Sequence, residues 1–418
     1  MRPLATAEII AVGSELLTPF RIDSNSLFLT RRQHDAGLVV RSKSIEGDDR
    51  VVLASVLRAA LDRADLVVTT GGLGPTDDDV TREVVAGVLE LPLEENPGVL
   101  EEIRARFERR RVPMPEINRR QALVPRGARV LDNPNGTAPG LWIDAGQRIV
   151  VLLPGPPREL EPMFEAGVAP HLVSPAGARH LRRRVLKITG RSESQVEEIA
   201  QPIYSKLGDA DVPIETTILA SPGLIELHLQ AAGPDAALLE RRLDEGRTAL
   251  AAALGSVVFS DDGRSLEAVV GDLLRTRGWR LAVAESCTGG LVLGRLTDVP
   301  GSSAWVAGGV VAYANDVKTG VLGVPAALIA GHGAVSEPVA VAMADGVRAR
   351  LAADIAVSVT GIAGPGGGSA AKPVGTVVIA VSAAIPAVRT FAFPGDREMV
   401  RRHSSAAALD MVRRALLP

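Results

Sequence analysis

The sequence predicts an α/β protein, because short apolar strands alternate with helices along most of its 418 residues. Glycine-rich turns follow several of these strands, and a 46% hydrophobic content is enough for sizeable cores. A chain of this length has room for two or three domains. The pattern predicts a parallel-sheet domain at 1–172, a small α+β domain at 178–257 and a second α/β domain at 262–418.

Composition narrows the classes of function. The formal net charge of −3 argues against nucleic-acid binding by bulk electrostatics. A single cysteine, Cys287, excludes an intramolecular disulfide and a cysteine-based zinc cluster. Apolar runs such as 149–153 and 304–314 are too short or too interrupted by glycine to span a bilayer. No basic segment followed by a long apolar run opens the chain, so we expect no membrane association and a cytoplasmic location.

The N-terminal part alternates strands and helices. Apolar runs predict strands at 7–12, 37–42, 65–70, 141–143 and 149–153, and helical periodicity predicts helices at 23–32 and 51–63. This alternation predicts a mostly parallel sheet with helices on both faces. Ligands bind such sheets outside the carboxyl ends of the strands, so the turns at those ends are the candidate site.

One such turn follows the predicted strand at 65–70. It contains three glycines and three consecutive aspartates, namely Gly71, Gly72, Gly74, Asp77, Asp78 and Asp79. The glycines allow phosphate oxygens to approach backbone N–H groups closely. The aspartates would repel a bare phosphate, unless a divalent cation lies between them. Alternatively, they only complement the dipole of the next helix, where Thr76 and Asp79 resemble a capping box.

Three stretches of this part resemble the N-terminal domain of the CinA family, namely Ile10–Leu17, Gly71–Asp79 and Pro154–Glu159. The resemblance implies a molybdopterin-binding-type fold with metal-dependent ADP-ribose pyrophosphatase activity. It also implies that the nucleotide contacts Glu15, Asn25 and the three glycines, and that the aspartates hold a divalent metal ion. This chain has Thr18-Pro19-Phe20 where the family usually has glycine, so we expect a different loop there.

The middle segment is predicted to be a small α+β unit. Its strands are predicted at 184–189, 216–219 and 224–230, and its helices at 194–207 and 235–254. In the CinA family this part is similar to a KH domain, which clamps nucleic acid with a GXXG loop. Gly190-Arg191-Ser192-Glu193 lacks the second glycine, so we do not expect direct nucleic-acid binding. We interpret the basic cluster at 179–184 as a solvated or inter-domain face.

Ala284–Gly290 carries the strongest chemical signal of the C-terminal part. It reads Ala-Glu-Ser-Cys-Thr-Gly-Gly between a predicted strand and a predicted helix at 291–296. Free backbone N–H groups in such a turn favour a developing negative charge, and the paired glycines admit a ligand to the main chain. From these residues alone, a capped turn with a buried cysteine is the alternative.

Ser286 needs a base if it is a nucleophile. Lys318 follows a mostly apolar segment, where burial would lower its pKa and let it remove the hydroxyl proton. Backbone N–H groups between Ser286 and Gly290 would then hold an oxyanion. The alternatives are that Lys318 is a surface residue at a helix start, that Cys287 is the nucleophile, and that His332 is the base.

Six stretches resemble the CinA C-terminal domain in the right order: Ala284–Gly290, Gly301–Ser303, Tyr313 with Lys318, Gly333–Glu337, Thr360–Pro365 and Lys372–Thr376. That domain is similar to stand-alone nicotinamide mononucleotide amidohydrolases. The resemblance implies that Ser286 is the nucleophile, Lys318 the base and Tyr313 an assisting residue, with no cofactor. The implied substrate contacts are Cys287, Thr288, Gly289, Gly290, Thr360, Gly361, Ile362, Ala363, Gly364 and Arg397.

Both ends of the chain thus resemble one family and imply a bifunctional hydrolase of pyridine nucleotide metabolism. It would convert nicotinamide mononucleotide to nicotinic acid mononucleotide and ammonia, and split ADP-ribose at its pyrophosphate. The implied partners are these nucleotides and a second copy of the chain in a homodimer. Two alternatives stay open: a non-catalytic pterin- or nucleotide-binding N-terminal module, and a partner protein in competence or DNA repair.

Overall fold

The computed structural model of the protein describes residues 4–172, 180–208 and 211–417. The chain forms two compact units: the first runs to Leu181 and includes Gly233–Ala236, and the second contains the remainder. The predicted α/β class is confirmed, with a parallel-sheet unit first and a second α/β sheet in the C-terminal part. The three predicted domain ranges stay a prediction, and the boundary at 178 lies outside the described residues.

The first unit is built on a six-stranded sheet. Its strands, with those of a separate two-stranded ribbon, are β1 (Thr6–Val12), β2 (Val39–Glu46), β3 (Leu66–Thr70), β4 (Leu93–Glu95), β5 (Leu123–Pro125), β6 (Arg129–Leu131), β7 (Gly140–Ala145) and β8 (Arg148–Leu153). The sheet order is β2-β1-β3-β8-β7-β6, and β4 pairs with β5. The first four strands of that order are parallel to one another, whereas β7 pairs antiparallel with β8, and β6 pairs antiparallel with β7. The predicted mostly parallel sheet is therefore confirmed.

Helices cover both faces of this sheet. They are α1 (Asn25–Asp35), α2 (Arg50–Arg63), α3 (Thr81–Val88), α4 (Pro97–Arg109) and α5 (Pro157–Gly167). Side chains alternate between the faces of a strand, so the neighbours Ile9 and Ile10 of β1 belong to different cores. Ile10 packs in the core that contains Leu57 of α2, and Ile9 in the core that contains Phe164 of α5.

The capping box predicted from Thr76 and Asp79 is wrong. Helix α3 begins at Thr81, and no side chain caps it. The Asp79 carboxylate instead accepts hydrogen bonds from the backbone amides of Gly74 (2.7 Å) and Thr76 (2.9 Å). The carboxylate therefore closes the glycine turn on itself and does not cap the helix.

The second unit contains two sheets. Its strands are β9 (His180–Thr189), β10 (Glu215–Ser221), β11 (Leu224–Gly233), β12 (Val258–Ser260), β13 (Leu281–Glu285), β14 (Val306–Val311), β15 (Ile355–Gly361), β16 (Thr376–Ser382) and β17 (Ala387–Ala392). The middle segment forms the sheet β10-β11-β9-β12, and the C-terminal part forms β14-β13-β15-β16-β17. Within the C-terminal sheet, β14, β13 and β15 are parallel to one another. Strand β16 pairs antiparallel with β15, and β17 pairs antiparallel with β16.

The helices of the second unit are α6 (Glu193–Gly208), α7 (Ala236–Leu254), α8 (Leu266–Arg277), α9 (Leu291–Thr297), α10 (Asn315–Gly320), α11 (Ala326–His332), α12 (Glu337–Arg350) and α13 (Arg397–Ala415). Helices α8 and α13 share a core with the C-terminal sheet, whereas α12 contributes to a separate core. Helix α13 had no apolar signature in the sequence, because it also buries polar residues such as Ser404 and Asp410. Within the described ranges, every helix is too short or too polar to cross a membrane.

Candidate active site

Strand β13 carries the candidate nucleophile at its carboxyl end. The strand lies between β14 and β15, and Ser286 follows its last residue directly. The backbone amide of Ser286 donates to the carbonyl of Val359 in β15 (2.9 Å). On the other side, the amide of Ala312 after β14 donates to the carbonyl of Glu285 (2.7 Å). The main-chain ladder thus fixes the start of the nucleophile turn, Ser286–Gly290.

The side chain of Lys318 meets Ser286 at this edge of the sheet. Its Nζ lies 3.2 Å from Ser286 Oγ and donates to the carbonyls of Ala312 (2.8 Å) and Tyr313 (3.2 Å). Lys318 is 1% exposed, and burial lowers the pKa of its amine. The alternative of a surface lysine is therefore wrong, and the arrangement is that of a serine hydroxyl beside a buried amine.

A buried carboxylate holds the shape of the nucleophile turn. Glu285 is 1% exposed, and its two oxygens accept from the amides of Gly290 (2.9 Å), Val292 (3.1 Å) and Leu293 (2.9 Å). These are N–H groups at the start of α9, which would otherwise lack partners. Glu285 is thus a cap placed in the strand before the turn, and it connects the end of β13 to the beginning of α9.

Two other amides of the turn have no acceptor within the described chain. The amide of Gly289 donates to the carbonyl of Ser286 (3.1 Å), and that of Gly290 donates to Glu285, so neither can hold an oxyanion. The amides of Cys287 and Thr288 donate to no other residue of the described chain. The amides of Cys287 and Thr288 are therefore the oxyanion donors that we expect in this turn. The Thr288 hydroxyl is also buried and has no partner among the described residues.

Neither competing residue is arranged for catalysis. Cys287 is buried, and burial raises the pKa of its thiol to about 12, which leaves it protonated near neutral pH. A Cβ atom at Gly361 would lie 3.0 Å from its sulfur, which shows that the thiol packs against β15. His332 is exposed at the end of α11, whereas the group beside the Ser286 hydroxyl is the amine of Lys318.

Tyr313 and Arg397 contact each other at the rim. The Arg397 guanidinium donates to the Tyr313 hydroxyl (3.0 Å) and to the carbonyl of Gly364 (2.8 Å). The Tyr313 carbonyl, and not its hydroxyl, is the atom that contacts the Lys318 amine. Within the described residues, the structure therefore connects Tyr313 to the base through its main chain.

The predicted contacts in β15 and the following loop are packed more tightly than we expected. The Thr360 hydroxyl donates to the carbonyl of Ala334 (2.9 Å), and Ala363 belongs to the core. The Ile362 amide donates to the carbonyl of Thr376 (2.8 Å). Of these residues, Gly364 is the one whose carbonyl contacts the rim arginine. The structure thus places most of this stretch behind the site as support.

A cavity of about 860 Å³ adjoins the nucleophile turn. Its lining includes four arginines and two carboxylates, namely Arg295, Arg397, Arg401, Arg402, Asp396 and Glu398. Arg401 also donates to the carbonyl of Thr288 (2.8 Å), so its guanidinium lies against the nucleophile turn itself. This excess of guanidinium groups is suited to a phosphate.

The glycine turn of the first unit lines a second cavity, of about 350 Å³. The predicted residues on its wall are Glu15, Gly71, Gly72, Gly74, Asp78 and Asp79, together with Asp48 and Glu159. The amides of Gly72 and Leu73 donate to no other described residue, whereas that of Gly74 is taken by Asp79. Asn25 does not line the cavity itself, but its side-chain amide joins Thr70 to the carbonyl of Gly155, which does.

The three consecutive aspartates do not converge on one point. Asp77 is fully exposed and pairs with Arg120 (2.8 Å), whereas Asp78 and Asp79 both contact the Thr76 hydroxyl, and Asp79 also accepts from turn amides. Among the described residues, no group of three or more histidine, cysteine or acidic side chains is arranged to hold a metal ion. A divalent cation held by some of these three aspartates therefore stays a prediction, and we derive no step through a metal.

Sequence reasoning missed three residues that shape these sites. Glu285 stood inside the quoted motif, and its position before a predicted helix start was the available signal. Arg401 lies one turn after Arg397, but only a predicted α13 would have put them on one face. Arg82 is buried and donates to the carbonyl of Leu73 (2.8 Å), holding the glycine turn from behind; no motif marked it.

Comparisons with known proteins agree with this architecture. Residues 263–416 match the CinA C-terminal domain, and residues 8–173 match a family described as "Probable molybdopterin binding domain". The CinA-like protein of Koribacter versatilis is 47% identical over 416 residues, covering 98% of this chain and 100% of the relative. That of Acidobacterium capsulatum is 46% identical over 418 residues, with 98% and 100% covered.

Among solved structures, the competence/damage inducible protein CihA from Agrobacterium tumefaciens is 42% identical. It covers 35% of this chain and 90% of its own, with a TM-score of 0.34. The full-length relatives, by contrast, match across nearly the whole of both chains. An identity of almost one half over that length shows that the protein belongs to the CinA family, with a molybdopterin-binding-type domain before the CinA C-terminal domain.

Proposed function

We propose that the C-terminal part hydrolyses the carboxamide of nicotinamide mononucleotide to a carboxylate and ammonia. The observation that carries this proposal is the Lys318 amine, which is buried, has no carboxylate partner among the described residues and lies 3.2 Å from the Ser286 hydroxyl. Such a pair supports acyl transfer, because a buried amine with a lowered pKa can accept the hydroxyl proton. The choice of substrate rests on the resemblance to the stand-alone amidohydrolases.

The reaction proceeds in two halves. In the first, Ser286 Oγ attacks the carboxamide carbon while its proton passes to Lys318 Nζ, and the amides of Cys287 and Thr288 hold the resulting oxyanion. The Lys318 ammonium then protonates the leaving nitrogen, which departs as ammonia. In the second half, Lys318 takes a proton from water, the hydroxide attacks the acyl-enzyme, and the carboxylate product leaves as Ser286 regains its proton.

The phosphate of the nucleotide is proposed to occupy the arginine-lined cavity beside the turn. Arg397 and Arg401 are its nearest anchors, because each already contacts a residue of the candidate site. Their guanidinium groups offer several donors, whereas the amides at the start of α9 are occupied by Glu285. The Thr288 hydroxyl, buried and without a described partner, is expected to gain one from the bound substrate.

The N-terminal part is proposed to bind ADP-ribose and to split its pyrophosphate. The supporting observation is the glycine-lined cavity, where the amides of Gly72 and Leu73 face no acceptor of the described chain. Carboxylates on the same wall would oppose a bare pyrophosphate, so a requirement for an added divalent cation stays a prediction. A pterin- or nucleotide-binding module without turnover is the competing proposal.

Removal of the serine or the lysine is expected to abolish deamidation. Ser286→Ala and Lys318→Met should each lower kcat by about a thousandfold or more, whereas Cys287→Ala keeps the oxyanion amide and should retain most activity. Ammonia release from nicotinamide mononucleotide is the measurement. Lys318→Met should melt at the same or a higher temperature, because it removes a desolvated amine. Activity that survives in Ser286→Ala would overturn the mechanism.

Deamidation is expected to increase with pH and to level off below the ordinary pKa of lysine. Burial lowers the pKa of Lys318, so below that pKa the amine is protonated and cannot act as a base, and above it the amine is neutral. The measurement is kcat at saturating nucleotide across pH 5 to pH 10, buffered at constant ionic strength. A kcat that is flat over this range, or that falls as pH rises, would contradict a lysine base.

Glu285→Gln is expected to lower kcat about tenfold or more. The variant replaces one carboxylate oxygen, which accepts from backbone amides, by an NH2 donor, and hydrogen bonds to charged groups contribute roughly 1.5–3 kcal/mol. The matched control is Glu267→Gln, whose carboxylate is also largely buried but pairs with Arg295. Both variants should lose thermal stability, and only Glu285→Gln should lose kcat. Equal kcat in the two variants would show that Glu285 has no positioning role.

The pyrophosphatase proposal is tested by AMP release from ADP-ribose with Mg²⁺, with Mn²⁺ and with a chelator. Asp78→Asn should lower the rate about tenfold or more, since Asp78 lines the cavity. Asp77→Asn, the matched control, should change it less than about twofold, because its carboxylate is exposed and paired with Arg120. Binding of ADP-ribose without AMP release would favour the non-catalytic binding module. Full activity in the presence of the chelator would contradict the requirement for a divalent cation.

A further inference from the structure

A third cavity, of about 780 Å³, lies in the second unit between the middle segment and the C-terminal part. On one side it is lined by the start of α6 and by the turn between β10 and β11, and on the other by β17 and α13. Neither the Ser286–Lys318 pair nor the proposed phosphate anchors Arg397 and Arg401 line it, so the proposed deamidation does not use it. Its volume is within the usual range of small-molecule sites, roughly 300–1,000 Å³.

A column of aromatic rings forms one wall of this cavity. Phe391 and Phe393 stack with centroids 5.1 Å apart, and Phe393 stacks on His403 at 5.4 Å, with all three rings nearly parallel. The Arg389 guanidinium lies 5.1 Å from the centroid of Phe391 and extends the column. All three rings are half-buried. The faces of Phe391 and Phe393 are covered within this column, so the planar ring of a ligand would stack on its exposed end, the Arg389 guanidinium.

Charged groups line the rest of the cavity, and the cations among them predominate. The Asp410 carboxylate is neutralised by Arg413 and Arg414, which both pair with it at 2.7 Å. Arg191 and Arg389 make no ion pair with another residue of the described chain, and they are opposed by one unpaired carboxylate, Glu193. The neighbouring His403 is neutral at pH 7, because burial lowers the pKa of its ring.

A glycine in the left-handed backbone region, Gly190, lies where the walls of the cavity meet. Gly190 has a φ of +78°, and a Cβ there would lie 3.7 Å from a guanidinium nitrogen of Arg414 and 3.8 Å from Asp410. The next residue, Arg191, begins the loop into α6, whose Ser192 and Gln195 side chains and amides bond to each other. The cap of α6 is thus complete within the helix, which leaves the Arg191 guanidinium exposed on the cavity wall.

We propose that this cavity is a second nucleotide site, which binds a nucleoside monophosphate by stacking its base on the ring column and pairing its phosphate with Arg191. The ring column accounts for an aromatic ligand, and the surplus of guanidinium groups accounts for an anionic one. A single strand of nucleic acid is a poorer match, because the loop that follows Gly190 lacks a second glycine for close backbone approach. This site does not depend on the proposed deamidation.

The test is binding of AMP to the full chain, measured by calorimetry and by hydrogen exchange. Millimolar AMP is expected to slow amide exchange in residues 189–193 and 389–393, which contribute to this cavity and not to the arginine-lined cavity beside the nucleophile turn, whatever it does in the first unit. Arg191→Glu should weaken this binding about tenfold or more, and Ala220→Trp, at an exposed lining position, should block it by filling the cavity. Arg350→Glu makes the same charge change on α12 outside the cavity and should leave binding unchanged.

Two smaller probes separate the contributions of ring and phosphate. Adenosine and inorganic phosphate should each protect the two segments less than AMP does at the same concentration. Absence of protection by AMP, or protection that survives in both Arg191→Glu and Ala220→Trp, would overturn the site. Equal protection by phosphate alone would overturn the stacking contact, and protection by an oligonucleotide but not by AMP would overturn the choice of a small ligand.

Discussion

The C-terminal site depends on one buried carboxylate, that of Glu285. Three amides at the start of α9 donate to it, so the turn between strand and helix has one shape and Ser286 has one position relative to Lys318. A buried carboxylate without partners would carry a large desolvation cost, and the amides remove that cost while gaining partners themselves. The same bonds decide which amides remain free for chemistry, namely those of Cys287 and Thr288.

Both units place a candidate site at the carboxyl end of a parallel strand, but the charged groups around the two sites have opposite signs. Each has a glycine turn at the carboxyl end of a buried parallel strand, where ligands are expected. In the first unit, buried Arg82 holds the turn from behind while carboxylates face the cavity. In the second, the carboxylate of Glu285 is behind the turn, and arginines such as Arg401 face the cavity. In each unit, a buried charge opposite in sign to these cavity-lining groups therefore helps to hold the turn from behind.

The sequence predicted those features that depend on local pattern. The α/β class followed from the periodicity of short runs, and the pairing of Ser286 with Lys318 came from the motif order and the resemblance. The cap role of Asp79 failed because carboxylate partners depend on turn geometry that no spacing encodes. The Arg82 contact and the ring column around Phe393 join residues that are close in the chain, but they depend on the direction of side chains across a turn, which periodicity and spacing do not encode.

The absence of a carboxylate beside Lys318, within the described residues, is itself part of the arrangement. A facing carboxylate would stabilise the ammonium and raise its pKa, which would disable the base at neutral pH. Glu285 is close in sequence to Ser286, yet its oxygens are turned to α9 amides. The neutral amine can donate two hydrogens to the carbonyls of Ala312 and Tyr313 and direct its lone pair to the Ser286 hydroxyl. After proton transfer the same two bonds persist, so the base changes charge without moving.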